Sequence, residues 1–144
     1  MSVRRGTYAL FVTFGHDEEI SVGSLGTHHF RAGTYCYVGS AMGGIDQRVM
    51  RHLAHDKKLR WHIDYLTVRC DSSEAWISYP DPISECQLGR IAADCGGVAE
   101  MEGFGCSDCG CRSHLYRMDA PQKAAMIQRA RLSFFRMPGT AGAT

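Results

Sequence analysis

At 144 residues the chain has room for one hydrophobic core and not for two. With 44% apolar residues, 22% charged residues and 16 glycines, its composition excludes a fibrous repeat, a disordered tail protein and a long coiled coil. The net charge of +1 hides a division by segment, 9 basic and 6 acidic groups in residues 1–70, 1 and 8 in 71–110, and 6 and 1 in 111–144, so a polyanionic partner is compatible with it but not demanded.

The first element in chain order is the aromatic and β-branched run GTYALFVTF, Gly6 to Phe14, which reads as a buried strand ending at Gly15-His16-Asp17. Glu18 to Val22 reads as a second strand, and Thr34 to Val38 as a further one in which Tyr35 and Tyr37 share a face. After the glycine-rich stretch from Gly39 to Gly44, Ile45, Val49 and Leu53 form an apolar stripe of helical spacing, with Arg48 and His52 on a neighbouring face near its start. Residues 61–79 read as a short helical turn, WHIDYL, followed by strand-like TVRC and AWISY. Asp81 before Pro82 predicts a helix start, with Glu85 in its first turn, Leu88, Ile91, Ala92 and Cys95 buried, and Gly96-Gly97 as its stop. HLYRM reads as a strand, and Asp119-Ala-Pro121 opens a basic amphipathic helix containing Met126, Ala130 and Phe134. The expectation is a single α+β domain over residues 1–137, a small, mainly antiparallel sheet flanked by helices, with a disordered tail over 138–144.

No run approaches the roughly 20 apolar residues of a membrane helix, and Met-Ser-Val-Arg-Arg-Gly lacks the apolar core of a signal peptide, so a cytoplasmic location without membrane contact is expected. The seven cysteines are an odd set spread through apolar segments, which favours reduced thiols over a disulfide scaffold.

The stretch from Gly39 to Gly44 lies between a strand and a helix, where backbone N–H groups and the helix dipole can hold a phosphate, but it lacks the lysine and hydroxyl residue of a Walker loop. Gly39 and Ser40 are accordingly substrate-binding candidates. Gly6-Thr7-Tyr8 in a first strand, Tyr37-Val38-Gly39-Ser40 in a later one, Arg48 and His52 on the following helix and Glu85 on another together resemble the GIY-YIG endonuclease pattern. The surrounding text, GTYCYVGSAMGG, RHLA, WHIDYL, SEC and FGCSDCGCRSHL, looks like the small Uri-type branch of that superfamily, once catalogued as a domain of unknown function. The likeness covers residues 5–117. Tyr8 and Tyr37 stand 29 positions apart, against about ten residues between the signature triplets of typical members, which implies an inserted hairpin over Glu18 to Ala32. Gly33-Thr34-Tyr35 repeats the first triplet, so Tyr35 is a second tyrosine to place.

The resemblance implies a divalent-metal-dependent endonuclease that hydrolyses phosphodiester bonds in DNA with one Mg2+ or Mn2+ per site. Glu85 offers the hard oxygen suited to such an ion, and Arg48 can neutralise charge that grows on a phosphate. Tyr37, with Tyr8 nearby, would position or deprotonate the attacking water; a tyrosine base needs its pKa brought down by roughly 2.5 units, about 3.4 kcal/mol, and His52 is the alternative base. Arg51 belongs to a basic stretch with Arg48, Lys57, Lys58 and Arg60, a second lies on the late helix, and His62 and Asp64 are candidates for supporting groups or nucleic-acid contacts.

Cys106, Cys109, Cys111 and His114 place four soft ligands within nine residues, cramped spacing for zinc, and a turn braced by Asp108, Ser113 and His114 explains the same residues. His28-His29 reads as hairpin surface. Two rival functions therefore stand beside the nuclease: a catalytically silent nucleic-acid-binding module, and a zinc-stabilised interaction protein.

Overall fold

Gly6 to Phe14 is buried along nearly its whole length, as an apolar run without polar alternation requires of a strand covered on both faces. A computed structural model describes residues 3–106 and 111–136. Among these the elements follow in the order β1 (Gly6–Phe14), β2 (Glu18–Ser21), β3 (Thr27–Phe30), β4 (Gly33–Ala41), α1 (Ile45–Leu53), α2 (His62–Thr67), β5 (Ser72–Ser78), α3 (Glu85–Asp94), β6 (Val98–Ala99), β7 (Leu115–Met118), α4 (Ala120–Ala130) and β8 (Ser133–Phe134). The domain is α+β. Six strands form an antiparallel sheet in the order β6-β7-β4-β1-β5-β8, and β2 and β3 form the separate hairpin expected between the two tyrosines.

The two-residue period of the strands divides the core. Tyr8, Leu10, Val12, Tyr35 and Tyr37 face α1, α2 and the hairpin, where they meet Ile45, Val49, Ile63, Leu66, Ile20 and Phe30. Ala9, Phe11, Cys36 and Val38 face the other way, onto Leu88 and Ala92 of α3 and Met126 and Ala130 of α4.

Four local expectations are corrected. The helix expected from Asp81 starts later: Thr7 Oγ1 bonds the Ile83 carbonyl and the Ile83 N–H donates to Ser78 Oγ (2.9 Å), tying the preceding segment to the sheet. Ser84 is the cap instead, accepting from the Gln87 N–H at 3.2 Å while the Gln87 side chain returns to the Ser84 N–H. TVRC is not a strand, because Val68 and Cys70 donate to the carbonyls of Asp64 and Leu66 and continue the turns of α2. Phe134 lies outside α4, which is ended by Arg131 in the left-handed region (φ 54°); its ring packs against Trp76 from β8. His52 falls near the end of α1, one turn beyond Arg48. The expected tail, 138–144, lies outside the described residues. No helix among the described residues is long and apolar enough to cross a membrane.

Candidate active site

The register of the two central strands sets Tyr8 opposite Gly39. A side chain at Gly39 would place its Cβ 2.5 Å from Tyr8 Oη and 2.6 Å from the ring carbon that carries it, so the glycine is what lets the ring lie across β4. Gly39 is buried beneath that ring, which corrects its reading as a substrate-binding residue. The expected phosphate cradle is corrected with it: Gly39 to Ala41 are strand, and the Ile45 N–H at the start of α1 donates to the Arg4 carbonyl at 2.8 Å.

Tyr8, Tyr37 and His52 converge. Tyr8 Oη lies 2.7 Å from His52 Nε2, and the ring centroids are 6.3 Å apart for the two tyrosines, 5.4 Å for Tyr8 with His52 and 6.2 Å for Tyr37 with His52. Tyr8 and His52 are each 1% exposed and Tyr37 is 9% exposed. Burial is the main influence on all three. It pushes both phenols well up, with Tyr37 adding to the rise at Tyr8, Glu85 adding at Tyr37, and Arg48 pulling both back. It pulls His52 below its usual value, against the attraction of Asp64. At neutral pH the cluster therefore holds two protonated phenols and a neutral imidazole.

Asp64 anchors the imidazole from behind. Its side chain is fully buried and its Oδ1 lies 3.7 Å from His52 Nδ1, which favours a proton on Nδ1 and leaves Nε2 to accept from Tyr8. The same carboxylate accepts from the Arg60 and Trp61 N–H groups (2.8 and 2.9 Å) and, with both oxygens, from Arg51 Nη1 (3.0 and 2.9 Å). Burial works to raise its pKa, and these donors together with His52 hold it well below the usual carboxylate range. Lys57 closes the end of α1, donating to the carbonyls of His52 (2.6 Å) and Arg51 (3.0 Å), and burial brings its pKa down to about 8.

Arg48 and Arg51 each lie 4.5 Å from the centre of the Trp61 ring, and Arg48 also donates to the Ser40 carbonyl at 3.2 Å. Arg51 is engaged by Asp64, so its place here is structural as well as electrostatic. His62 accepts from the Gly105 N–H at 2.8 Å, which seats that loop against Tyr37; a Cβ at Gly105 would lie 2.9 Å from the Tyr37 ring. His62 thus orders the loop beside the phenol. Tyr35 does not join the cluster, for it is buried among Phe14 and Phe30 and donates to the Arg31 carbonyl at 2.7 Å. His28 and His29 sit on the hairpin as expected, bonded to Glu100 and Asp17.

Glu85 is the first residue of α3 and lines an open groove of about 400 Å3 with Thr7, Ser40, Met42, Ile83 and Gln87. Its Oε2 lies 3.1 Å from Nδ1 of the buried His114. Of the four soft ligands weighed for zinc, Cys111 and His114 meet, and among the described residues the third member of their group is Cys86 of α3. Cys106 Sγ is 3.3 Å from the Phe104 carbonyl, and Asp108 and Cys109 lie outside the described residues. Ser113 Oγ donates to the Glu100 carbonyl at 2.7 Å, the bracing expected of it.

Sequence reasoning passed over Trp61 and Cys86. Trp61 stands within a run of basic residues, which is a signal for cation stacking, whereas Cys86 is 25 positions from Cys111 and carried none.

The fold and this cluster define an α+β domain that gathers two phenols, an imidazole and a guanidinium at one end of its two central strands. The chain belongs to the family described as Domain of unknown function DUF123, whose match spans residues 7–135. Comparison with curated proteins gives no match, and neither does comparison with solved structures.

Proposed function

We propose that the protein is a divalent-metal-dependent endonuclease of the GIY-YIG type that hydrolyses phosphodiester bonds in DNA. In this reading the partner is DNA and the compartment is the cytoplasm. The observation that carries it is the convergence of Tyr8, Tyr37 and His52 from three elements, with the charges of Arg48 and Glu85 both felt at the Tyr37 hydroxyl.

The donor set suits the ion that the reading requires. Glu85 is 29% exposed and reached from the groove, and Mg2+ commonly takes one or two carboxylates while keeping several waters. Magnesium or manganese held by Glu85 would supply positive charge against the scissile phosphate. Arg48, which donates to the carbonyl of the groove residue Ser40, would neutralise the charge that develops on the phosphate oxygens. Both phenols are protonated at neutral pH, so Tyr37 acts as a donor that orients rather than as a ready-made base. His52 is the neutral group able to take up a proton, and Tyr8 is its hydrogen-bonded link to the site.

Plasmid, branched and single-stranded DNA incubated with Mg2+ or Mn2+ test this directly. Wild type should cleave at least one of them, and Tyr37→Phe, Arg48→Ala and Glu85→Ala should each lose about 100-fold or more in rate, the usual cost of removing an electrostatic contact to the transition state. Salt-sensitive binding without turnover in either metal, or three variants that cleave as wild type does, would refute it.

A further inference from the structure

We propose that Cys86, Cys111 and His114 form a second metal site, selective for a soft cation, with zinc as its natural occupant. One ligand atom from each of the three lies within 4.8 Å of the other two, and the Sγ atoms of Cys86 and Cys111 are 3.1 Å apart. A tetrahedral centre with metal–sulfur bonds near 2.3 Å holds its sulfurs about 3.8 Å apart, so the two thiols need to open by only about 0.7 Å. Thiolates with an imidazole select zinc over magnesium by their softness, which separates this site chemically from the lone carboxylate of Glu85.

Two of the ligands come from parts of the fold that are independently fixed. Cys86 is the second residue of α3, a helix held by its Ser84 cap, and the dipole there favours the negative charge of a bound thiolate. His114 is locked by its backbone, whose N–H donates to the Phe104 carbonyl (2.9 Å) and whose carbonyl accepts from the Val38 N–H (3.0 Å). Glu85 Oε2 lies 3.1 Å from His114 Nδ1, so a carboxylate stands beside the imidazole of the site. Zinc binding would displace the thiol protons of both cysteines and would join α3 to the segment that leads into β7.

The test uses the full chain, reduced and stripped of metal with a chelator, titrated with Co2+ and then with Zn2+ in the absence of nucleic acid. One equivalent of Co2+ should give thiolate-to-cobalt charge-transfer absorption and the intense visible bands of tetrahedral coordination, and one equivalent of Zn2+ should abolish both. Cys86→Ser should weaken binding by more than about 100-fold, since loss of an outer partner alone costs 10–100-fold, and Cys111→Ser should do the same. Cys95→Ser, at the far end of α3, should bind as wild type does. Circular dichroism of the metal-free variants establishes that each is folded. Absence of the thiolate band in wild type, or undiminished affinity in folded Cys86→Ser, overturns the site. Neither outcome touches the hydrolysis reading, which is scored on DNA cleavage.

Discussion

Asp64→Asn isolates the electrostatic anchor behind His52. Both carboxylate oxygens receive Arg51 Nη1, and Oδ2 also accepts the Arg60 and Trp61 N–H groups. Whichever way an amide is turned, its NH2 therefore faces at least one donor. The substitution leaves the shape unchanged and removes the charge that compensates Arg51 and Lys57. Breaking a buried ion pair costs about 3–5 kcal/mol, and because Arg51 is 24% exposed and can recover hydration, we expect the lower end, about 3 kcal/mol. With a urea m-value of about 2 kcal/mol/M, the unfolding midpoint should fall by about 1.5 M. The pH dependence carries a definite sign. A carboxylate whose folded pKa is depressed stabilises fully above its unfolded value of about 3.9, and this stabilisation is lost as pH falls through the folded value. The Asp64 contribution should thus be fully present from pH 5 upward and be lost from about pH 4 downward. A destabilisation below about 1 kcal/mol at pH 7, or a gap between wild type and variant that does not narrow as pH falls from about 4 to about 2, would refute the assignment of Asp64 as the anchor.

Gly39→Ala should destabilise by about 1–3 kcal/mol, a fall in Tm of about 5–10 °C by calorimetry, because its Cβ meets the buried Tyr8 ring. Adding Tyr8→Phe should not rescue it, since the ring carbon itself lies at 2.6 Å; recovery in the double variant would show that the hydroxyl alone was obstructed. Lys57 titrates near pH 8 in the fold against about 10.4 unfolded, so the unfolded chain holds more protons between these values and wild-type stability should rise relative to Lys57→Met by about 1–2 kcal/mol from pH 8 to 10. Denaturant curves for the pair across that range check this, and a gap that moves the other way would exclude a desolvated ammonium.

Much of the scaffold was legible because its signals are local. The apolar run of β1 and the stripe of Ile45 and Val49 report burial through composition and period alone. Asp119 and Gln122 announce α4 through a capping box that needs no distant partner. Where tertiary contacts decide, local signals mislead: Asp81-Pro82 has the chemistry of a helix start, but Thr7 and Ser78 claim Ile83 and move the start to Ser84. β6 and β8 have two residues each, too few to show any period. The roles of Gly39 and Cys86 depend on strand register and on a contact between separate segments, which spacing along the chain does not encode.

The two tryptophans lie on opposite sides of the central sheet, Trp61 under the guanidinium groups of Arg48 and Arg51 and Trp76 against Phe134. The domain therefore carries a built-in optical probe. An anion that draws Arg48 away changes the surroundings of one indole while the other supplies a constant background, so occupancy of the basic face is readable from intrinsic fluorescence without a label.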